Sequence, residues 1–269
     1  MLGKLGYEAF KTTEEQVGSM GKIIENISNA YSLGYKKGEV SFFETLTGEV
    51  AKHESKDFSQ GMLRRTADLY DLALDGPGFF EVEMQNGQRA YTRAGRFKLT
   101  NEGELVTEEG YRVIPAVEPI GKPIEITNIE SKEVGLNIKV TTPRLIIPVN
   151  LTHEILEDGT VNGINPQTNE KTKIGKINVV VFNNLQGLES IGKSYYLPTD
   201  ASGPSLETEV GMNAATKVKQ GFLEFGNVNV ISEFMRLSQM KNLLSAQLKV
   251  LKVIDKVYED INYTVSRSI

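Results

Sequence analysis

The stretch from Leu237 to Val265 constrains this chain most. Alternating steps of three and four pick out Leu237, Met240, Leu244, Gln247, Leu251, Ile254, Tyr258, Ile261 and Val265, a row broken only by Gln247. Leu243, Val250 and Val257 form a second row at seven-residue steps, and Lys249, Lys252, Lys256, Glu259 and Asp260 fall off both. This is the pattern of a long amphipathic helix with a coiled-coil-type seam. At 1.5 Å rise per residue it spans about 43 Å. Such a helix does not stand alone in water. Ordering its backbone costs more than its own hydrogen bonds return while the seam stays wet. It needs a partner surface.

A partner lies at the other end of the chain. Phe10, Thr13, Val17, Met20, Ile24, Ile27 and Tyr31 repeat the three-four spacing. Thr12 to Glu15 has capping-box spacing and predicts the helix start. Asn29 and Gly34 are stop signals, followed by Lys36 and Lys37. Gly18 and Gly21 weaken this helix by about 1 kcal/mol each. Closing a loop of about 200 residues costs only some 5 kcal/mol, so the two stripes are expected to pair within one molecule. A two-helix pair still leaves apolar surface uncovered, the usual mark of self-assembly. The expected assembly residues are Val17, Met20, Ile24, Ile27 and Tyr31 with Leu237, Met240, Leu244, Leu251, Ile254, Tyr258 and Ile261. The Tyr258 ring is expected to pack, with its hydroxyl at the edge of the interface.

All nine prolines lie between Pro77 and Pro204. Proline breaks helix interiors, so the chain divides into helix, non-helical middle, helix. Residues 38–70 show no sustained period and read as an extended connector with a short strand near Ser41–Leu46. From Asp71 the period becomes two. Phe80, Val82 and Met84 alternate with Glu81, Glu83 and Gln85, and Asn86-Gly87 supplies a hairpin turn before Tyr91. Phe97–Leu99 with Leu105–Thr107, then Tyr111–Val113, Glu154–Leu156, Val161 and Ile177–Phe182 continue the pattern. Short strands this closely spaced, with no helical stretch between them, predict antiparallel meanders. The expected fold is α+β, mainly β: N- and C-terminal amphipathic helices forming a coiled-coil-like pair, with an antiparallel all-β middle domain. The expected divisions are a helical segment 1–37, a connector 38–70, a β domain 71–218 and a second helical segment 219–269.

Composition narrows function. The net charge is −5 and the pI about 5.4, which argues against nucleic acid, whose binding rests on a basic surface. No cysteine is present, which excludes disulfides, thiolate metal sites and cysteine nucleophiles. No run of eighteen apolar residues occurs, so no membrane insertion is expected. The N-terminus lacks the basic-then-apolar order of a secretory signal.

One enzyme motif is present in letter. Gly187–Ser194 satisfies G-x-x-x-x-G-K-[ST], but a phosphate loop needs a helix after it. Tyr195-Tyr196-Leu197-Pro198 and Ala201-Ser202-Gly203-Pro204 follow instead, so a β-turn is the better reading. His53 and His153 are far apart and do not make a metal site. The pairs Glu108-Glu109 and Glu157-Asp158 sit at turns and read as solvated rather than as acid–base pairs. Asn29, Gly34, Gly76 and Gly78 read as backbone devices, since Asn and Gly tolerate positive φ. No catalytic residue, cofactor or metal is expected.

The motifs together resemble a known family. Asp71-Leu72-Ala73-Leu74-Asp75-Gly76-Pro77-Gly78-Phe79-Phe80, then Ala90-Tyr91-Thr92-Arg93-Ala94-Gly95-Arg96-Phe97 and Gly103-Glu104-Leu105-Val106-Thr107, resemble the flagellar basal-body rod and hook proteins. Glu25–Asn29 with Gly34-Tyr35-Lys36 is similar to the family's N-terminal "N-N-L-A-N … G-F-K" signature. Gln220–Glu224 with Asn227-Val228-Asn229-Val230 is similar to the "Q-G-x-L-E-x-S-N-V-N" lead into its C-terminal helix, with Gly226 where Ser is usual. Leu188–Gly192 is similar to a stretch of the distal-rod branch. The segment before Phe58–Gly61 is shorter than in distal rod proteins, and Ala67–Tyr70 replaces the common "x-N-P-x".

The resemblance implies a structural protein of the bacterial flagellum basal body, exported by the flagellar type III apparatus without signal cleavage. Its implied partners are itself and other rod and hook axial proteins, its helices lining a hollow tube and its β domain facing outward. It implies structural roles for Asn29, Gly34, Tyr35, Asp71, Gly76, Gly78, Phe79, Phe80, Tyr91, Thr92, Arg93, Gly95, Asn227 and Asn229. The rival reading is a β-rich surface or cell-wall binding module oligomerised by its helices.

Overall fold

The computed structural model describes residues 2–44, 50–116, 144–148, 151–212 and 214–267. They fold as two compact units: Met1–Gly61 with Phe225–Ile269, and Met62–Glu224. The fold is α+β and mainly β.

The first unit holds both long helices, α1 (Leu2–Ser28) and α2 (Val230–Arg267), packed against each other. The Thr12–Glu15 capping spacing lies inside α1 and does not start it. No proline stands upstream, and Gly3 and Gly6 each cost only about 1 kcal/mol, too little to stop the helix. α2 begins seven residues before its apolar row, where Asn229 caps it. The Asn229 Oδ1 accepts from the Ser232 N–H (3.1 Å), and the Glu233 N–H donates to the Asn229 carbonyl (3.0 Å). Between the helices in sequence, β1 (Gly38–Glu44) and β2 (Val50–Lys56) form an antiparallel hairpin running from Gly38↔Lys56 to Glu44↔Val50. β1 contains the described part of the strand anticipated near Ser41–Leu46; Leu46 itself lies outside the described residues.

The second unit is built of short strands. β3 is Leu63–Arg65, β4 Leu72–Asp75, β5 Phe79–Glu83, β6 Arg89–Thr92, β7 Phe97–Leu99, β8 Leu105–Thr107 and β9 Arg112–Val113. Then come β10 (Thr152–Ile155), β11 (Thr160–Ile164), β12 (Lys171–Lys176), β13 (Val179–Val181), β14 (Glu189–Gly192), β15 (Tyr195–Leu197), β16 (Leu206–Glu207), β17 (Lys217–Gln220) and β18 (Phe222–Glu224). The main sheet runs β14-β15-β6-β5-β9-β8-β7, with β13 joining β5 and β16. A second sheet runs β10-β11-β12, and β4 pairs β17 as β3 pairs β18. Every pairing between these strands is antiparallel.

The core contains Leu72, Leu74, Phe80, Val82, Phe97, Leu105, Ile155, Val161, Ile177 and Val218. The alternation Phe80-Glu81-Val82 suggests one face in water, but both faces of β5 are covered. Phe79, Tyr91, Phe182 and Tyr196 meet edge-on behind it, with centroids 4.9–6.1 Å apart. Glu81 is buried there because donors surround it: Asn178 Nδ2 (2.7 Å), Arg89 Nη1 (2.8 Å) and the Tyr91 hydroxyl (3.4 Å).

Candidate assembly surface

Asn26 organises the first unit. It is buried on α1 beside Ile23 and Ala30. Its Nδ2 donates to the Gly38 carbonyl (2.8 Å), and its Oδ1 accepts from the Gly38 N–H (2.9 Å) and the Tyr35 hydroxyl (3.0 Å). One side chain thus pins the start of β1 to α1. Burial pushes the Tyr35 hydroxyl well above its ordinary pKa, and the charge of Glu25 pushes the same way.

The two ends of the chain meet through Asn227. Its Oδ1 accepts from the Lys37 N–H (2.7 Å), and its Nδ2 donates to the Asp57 carbonyl (2.8 Å) and to Ser59. The buried Lys36 ammonium donates to the same Ser59 carbonyl (2.6 Å). Leu33 bridges Phe225 in antiparallel fashion. At Gly226 an added Cβ would lie 2.9 Å from both the Asn29 and Ala30 carbonyl oxygens. A serine there would press on the end of α1, which gives a physical reason for glycine in this chain.

Gly34, Gly76 and Gly78 have φ of +62°, +121° and +129°. Asn29 does not adopt positive φ. It acts through its side chain, with Nδ2 donating to the Glu25 carbonyl (2.9 Å) and Oδ1 accepting from the Ser32 hydroxyl (3.1 Å), which finishes α1.

The two helices bury their apolar rows unequally. On α2, Leu237, Met240, Leu244, Leu251, Ile254 and Tyr258 are half-buried, while Ile261 and the second row of Leu243, Val250 and Val257 are exposed. On α1 the row splits. Met20 and Ile27 are half-buried, whereas Val17 and Ile24, and Tyr31 in the turn after the helix, are 55%, 51% and 71% exposed. The inward line runs through Ile23 and Asn26 on α1 to Ala30 just past its end, one residue off the predicted row. Its apolar surface is therefore wider than one seam, with one flank used inside the chain and the other open. Phe10 and Val265 fall where side chains are outside the described residues.

In the second unit Arg93 ties the strands together. Its Nη2 donates to the Gly76 carbonyl (2.7 Å), its Nη1 lies 3.3 Å from Glu224 Oε2, and its guanidinium sits 5.6 Å over the Phe79 ring. Thr92 Oγ1 donates to the Ser194 carbonyl (2.9 Å), and the Tyr91 hydroxyl reaches Ser205 (3.2 Å). The Leu72 N–H donates to the Gly95 carbonyl (2.8 Å), and a Cβ on Gly95 would sit 1.7 Å from the Leu72 oxygen. Asp71 is buried and accepts the Gly221 N–H on its backbone oxygen (2.7 Å). Burial raises its carboxyl above the usual range. These motif residues hold a fold together.

The G-x-x-x-x-G-K-[ST] stretch is the β14–β15 hairpin. Lys193 and Ser194 take φ of +50° and +62° at its turn, and a strand follows. This segment does not form the strand-to-helix geometry of a phosphate loop. His153 has both ring nitrogens engaged. Its Nε2 donates to the Pro148 carbonyl (2.9 Å), which leaves Nδ1 to accept from the Tyr70 hydroxyl (3.0 Å).

Comparison with known proteins bears on these readings. A profile of the flagellar hook protein FlgE/F/G D1 domain matches residues 73–163. The flagellar basal-body rod protein FlgG of Buchnera aphidicola subsp. Schizaphis graminum is 28% identical over 91% of this chain and 93% of its own. FlgG of Bacillus subtilis is 28% identical over 96% of each. The rod protein FlgF of Caulobacter vibrioides is 27% identical over 91% of this chain and 89% of its own. The chain is similar along nearly its whole length to flagellar basal-body rod proteins, and its residues 73–163 match the FlgE/F/G D1 domain. The family profile falls within the second unit, where Arg93, Gly95 and Gly76 lie. The full-length relatives extend the likeness over the helices.

Sequence reasoning missed Asn26, Lys36 and Glu233 as organising residues. Asn26 had a legible signal, since it stands three and four residues from Ile23 and Ala30 on an otherwise apolar flank. Lys36 stands in the Gly34-Tyr35-Lys36 motif segment, but neither its burial nor that of Glu233 was legible, because a buried charge looks like a surface charge in sequence.

Proposed function

We propose that this chain, a structural subunit of the bacterial flagellar basal-body rod, polymerises through its terminal helices. The observation that carries this reading is the apolar surface left open after α1 and α2 have paired. Val17 and Ile24 on α1, Tyr31 in the turn after it, and Leu243, Val250 and Val257 on α2 are exposed in the single chain. Exposed apolar rows of that kind mark a candidate interaction site. Neighbouring subunits, copies of this chain and other axial proteins of the flagellum, would cover it. Among the described residues no helix is long and apolar enough to cross a membrane. We further propose export through the flagellar type III apparatus without signal cleavage.

Truncation tests the reading. Chains lacking 1–35 or 235–269 are expected to keep a folded β unit and to be absent from the rod. Normal incorporation of either would overturn it. Small closed oligomers of the intact chain would favour a surface-binding module oligomerised by its helices; open helical polymers support the rod subunit.

A further inference from the structure

Sulfur enters this chain only as methionine, since no cysteine is present. Its oxidation therefore starts with methionine sulfoxide, which turns a flexible apolar thioether into a polar group. The consequence depends on where each methionine stands. Met20, Met84 and Met240 are half-buried. Met62, Met212 and Met235 are exposed, so an oxidant in solution reaches them directly. Met62 and Met212 belong to the second unit, whereas Met235 lies on α2 in the first.

Met235 is 61% exposed and has apolar company. Glu233 turns inward and is buried, while Ile231, Phe234 and Met235 around it are exposed. Ile231 stands three residues from Phe234 and four from Met235, so the three are neighbours on the helix surface. Leu243, also exposed, follows eight residues after Met235, about two turns further along α2. It begins the open row that carries the polymerising reading. Met235 extends that row toward the start of α2. A thioether adapts to an irregular apolar contact. The sulfoxide brings an oxygen into the same contact, and burying it without a donor is costly.

We propose that Met235 is an oxidant-sensitive site on the assembly surface, and that its sulfoxide keeps a free chain out of the polymer. The reaction needs only a peroxide. A lone pair on the Met235 sulfur takes one oxygen of hydrogen peroxide, so an S–O bond forms and the O–O bond breaks. The sulfur gives up two electrons, and the second oxygen leaves as water with the proton of the first. In the polymer a neighbouring subunit covers the sulfur, so the assembled chain is shielded where the free chain is not. Sulfoxide reductases return both epimers to the thioether, which makes the block reversible. This control rests on the polymerising reading above and acts on the same surface.

Full-length chain is treated with hydrogen peroxide as dilute monomer and as polymer, and each methionine is followed by peptide mass. Met235 should gain one oxygen in the monomer faster than Met20, Met84 or Met240, and should be shielded in the polymer. The critical concentration of the oxidised chain should rise about tenfold or more, the cost of one buried polar group without a partner. Reductase treatment should restore it. Met235→Leu should polymerise as well after peroxide as before. Met235→Gln, which carries an amide where the sulfoxide would form, should show the rise without any oxidant. An oxidised wild-type chain that polymerises normally, an equal loss in wild type and Met235→Leu, or equal oxidation of Met235 in monomer and polymer overturns this site and leaves the polymerising reading standing. Failure of the untreated wild-type chain to polymerise or enter rods overturns both.

Discussion

Replacing Asn26 by alanine tests the architecture of the helical unit. The side chain makes three hydrogen bonds in a site that is 1% exposed. The Tyr35 hydroxyl can turn to Glu25, which already lies within its reach. The Gly38 N–H has no such alternative, and burying it without an acceptor costs about 1–3 kcal/mol. The other two lost hydrogen bonds add roughly 1 kcal/mol together once Tyr35 has re-paired and Gly38 has lost the amide donor. The expected destabilisation is therefore about 3 kcal/mol. The unit comprises residues 1–61 and 225–269, so the midpoint should fall by about 15 °C. Far-UV circular dichroism follows the helices, and hydrogen exchange separates 2–44 and 225–267 from the strands of the second unit. The strands should keep their protection. A loss under about 1 kcal/mol, or an equal loss in both units, would refute the role given to Asn26.

Two further outcomes follow from the same geometry. Arg93→Met removes the guanidinium that Glu224 faces inside the core, and should destabilise the second unit by about 3–5 kcal/mol in denaturant melts. The double change with Glu224→Met should recover most of it. Tyr35 is held neutral by burial, so its folded pKa lies above the ordinary value of 10.0. The stability it confers is complete below about pH 10 and is lost as pH rises beyond that. Tyr35→Phe should flatten the alkaline fall in helix melting, and an unchanged alkaline profile would count against the assignment.

The sequence carried some of this more legibly than the rest. The α2 seam was readable because leucine, methionine and isoleucine at steps of three and four leave a helix one way to hide them. The hairpin at Asn86-Gly87 was readable because that glycine, at φ of +79°, meets a backbone demand that few residues meet. The inward line of α1 was not readable. Ile23 and Ile24 are equally apolar, and only the position of β1 and α2 decides which is covered. Glu81 looked solvent-facing because alternation reports one covered face and is blind to a second layer. The lower boundary of α1 was misplaced because Thr12 and Glu15 match a capping pattern that only a chain reversal makes real. The Asn227 junction brings residues about 190 apart in sequence to one point. Local periodicity does not report such closures, although the motif resemblance marked its residues.

The central claim is that apolar surface on already-paired helices is covered by neighbouring subunits. Val250→Asp tests it most directly, since Val250 is exposed in the single chain and its replacement takes nothing from the monomer's interior. The companion Leu251→Asp strikes a half-buried neighbour and should loosen the helix pair as well. Sedimentation of full-length Val250→Asp is predicted to show monomer at concentrations where the wild-type chain polymerises, with both units melting as in wild type. Polymer of wild-type size and abundance from that variant would contradict the claim.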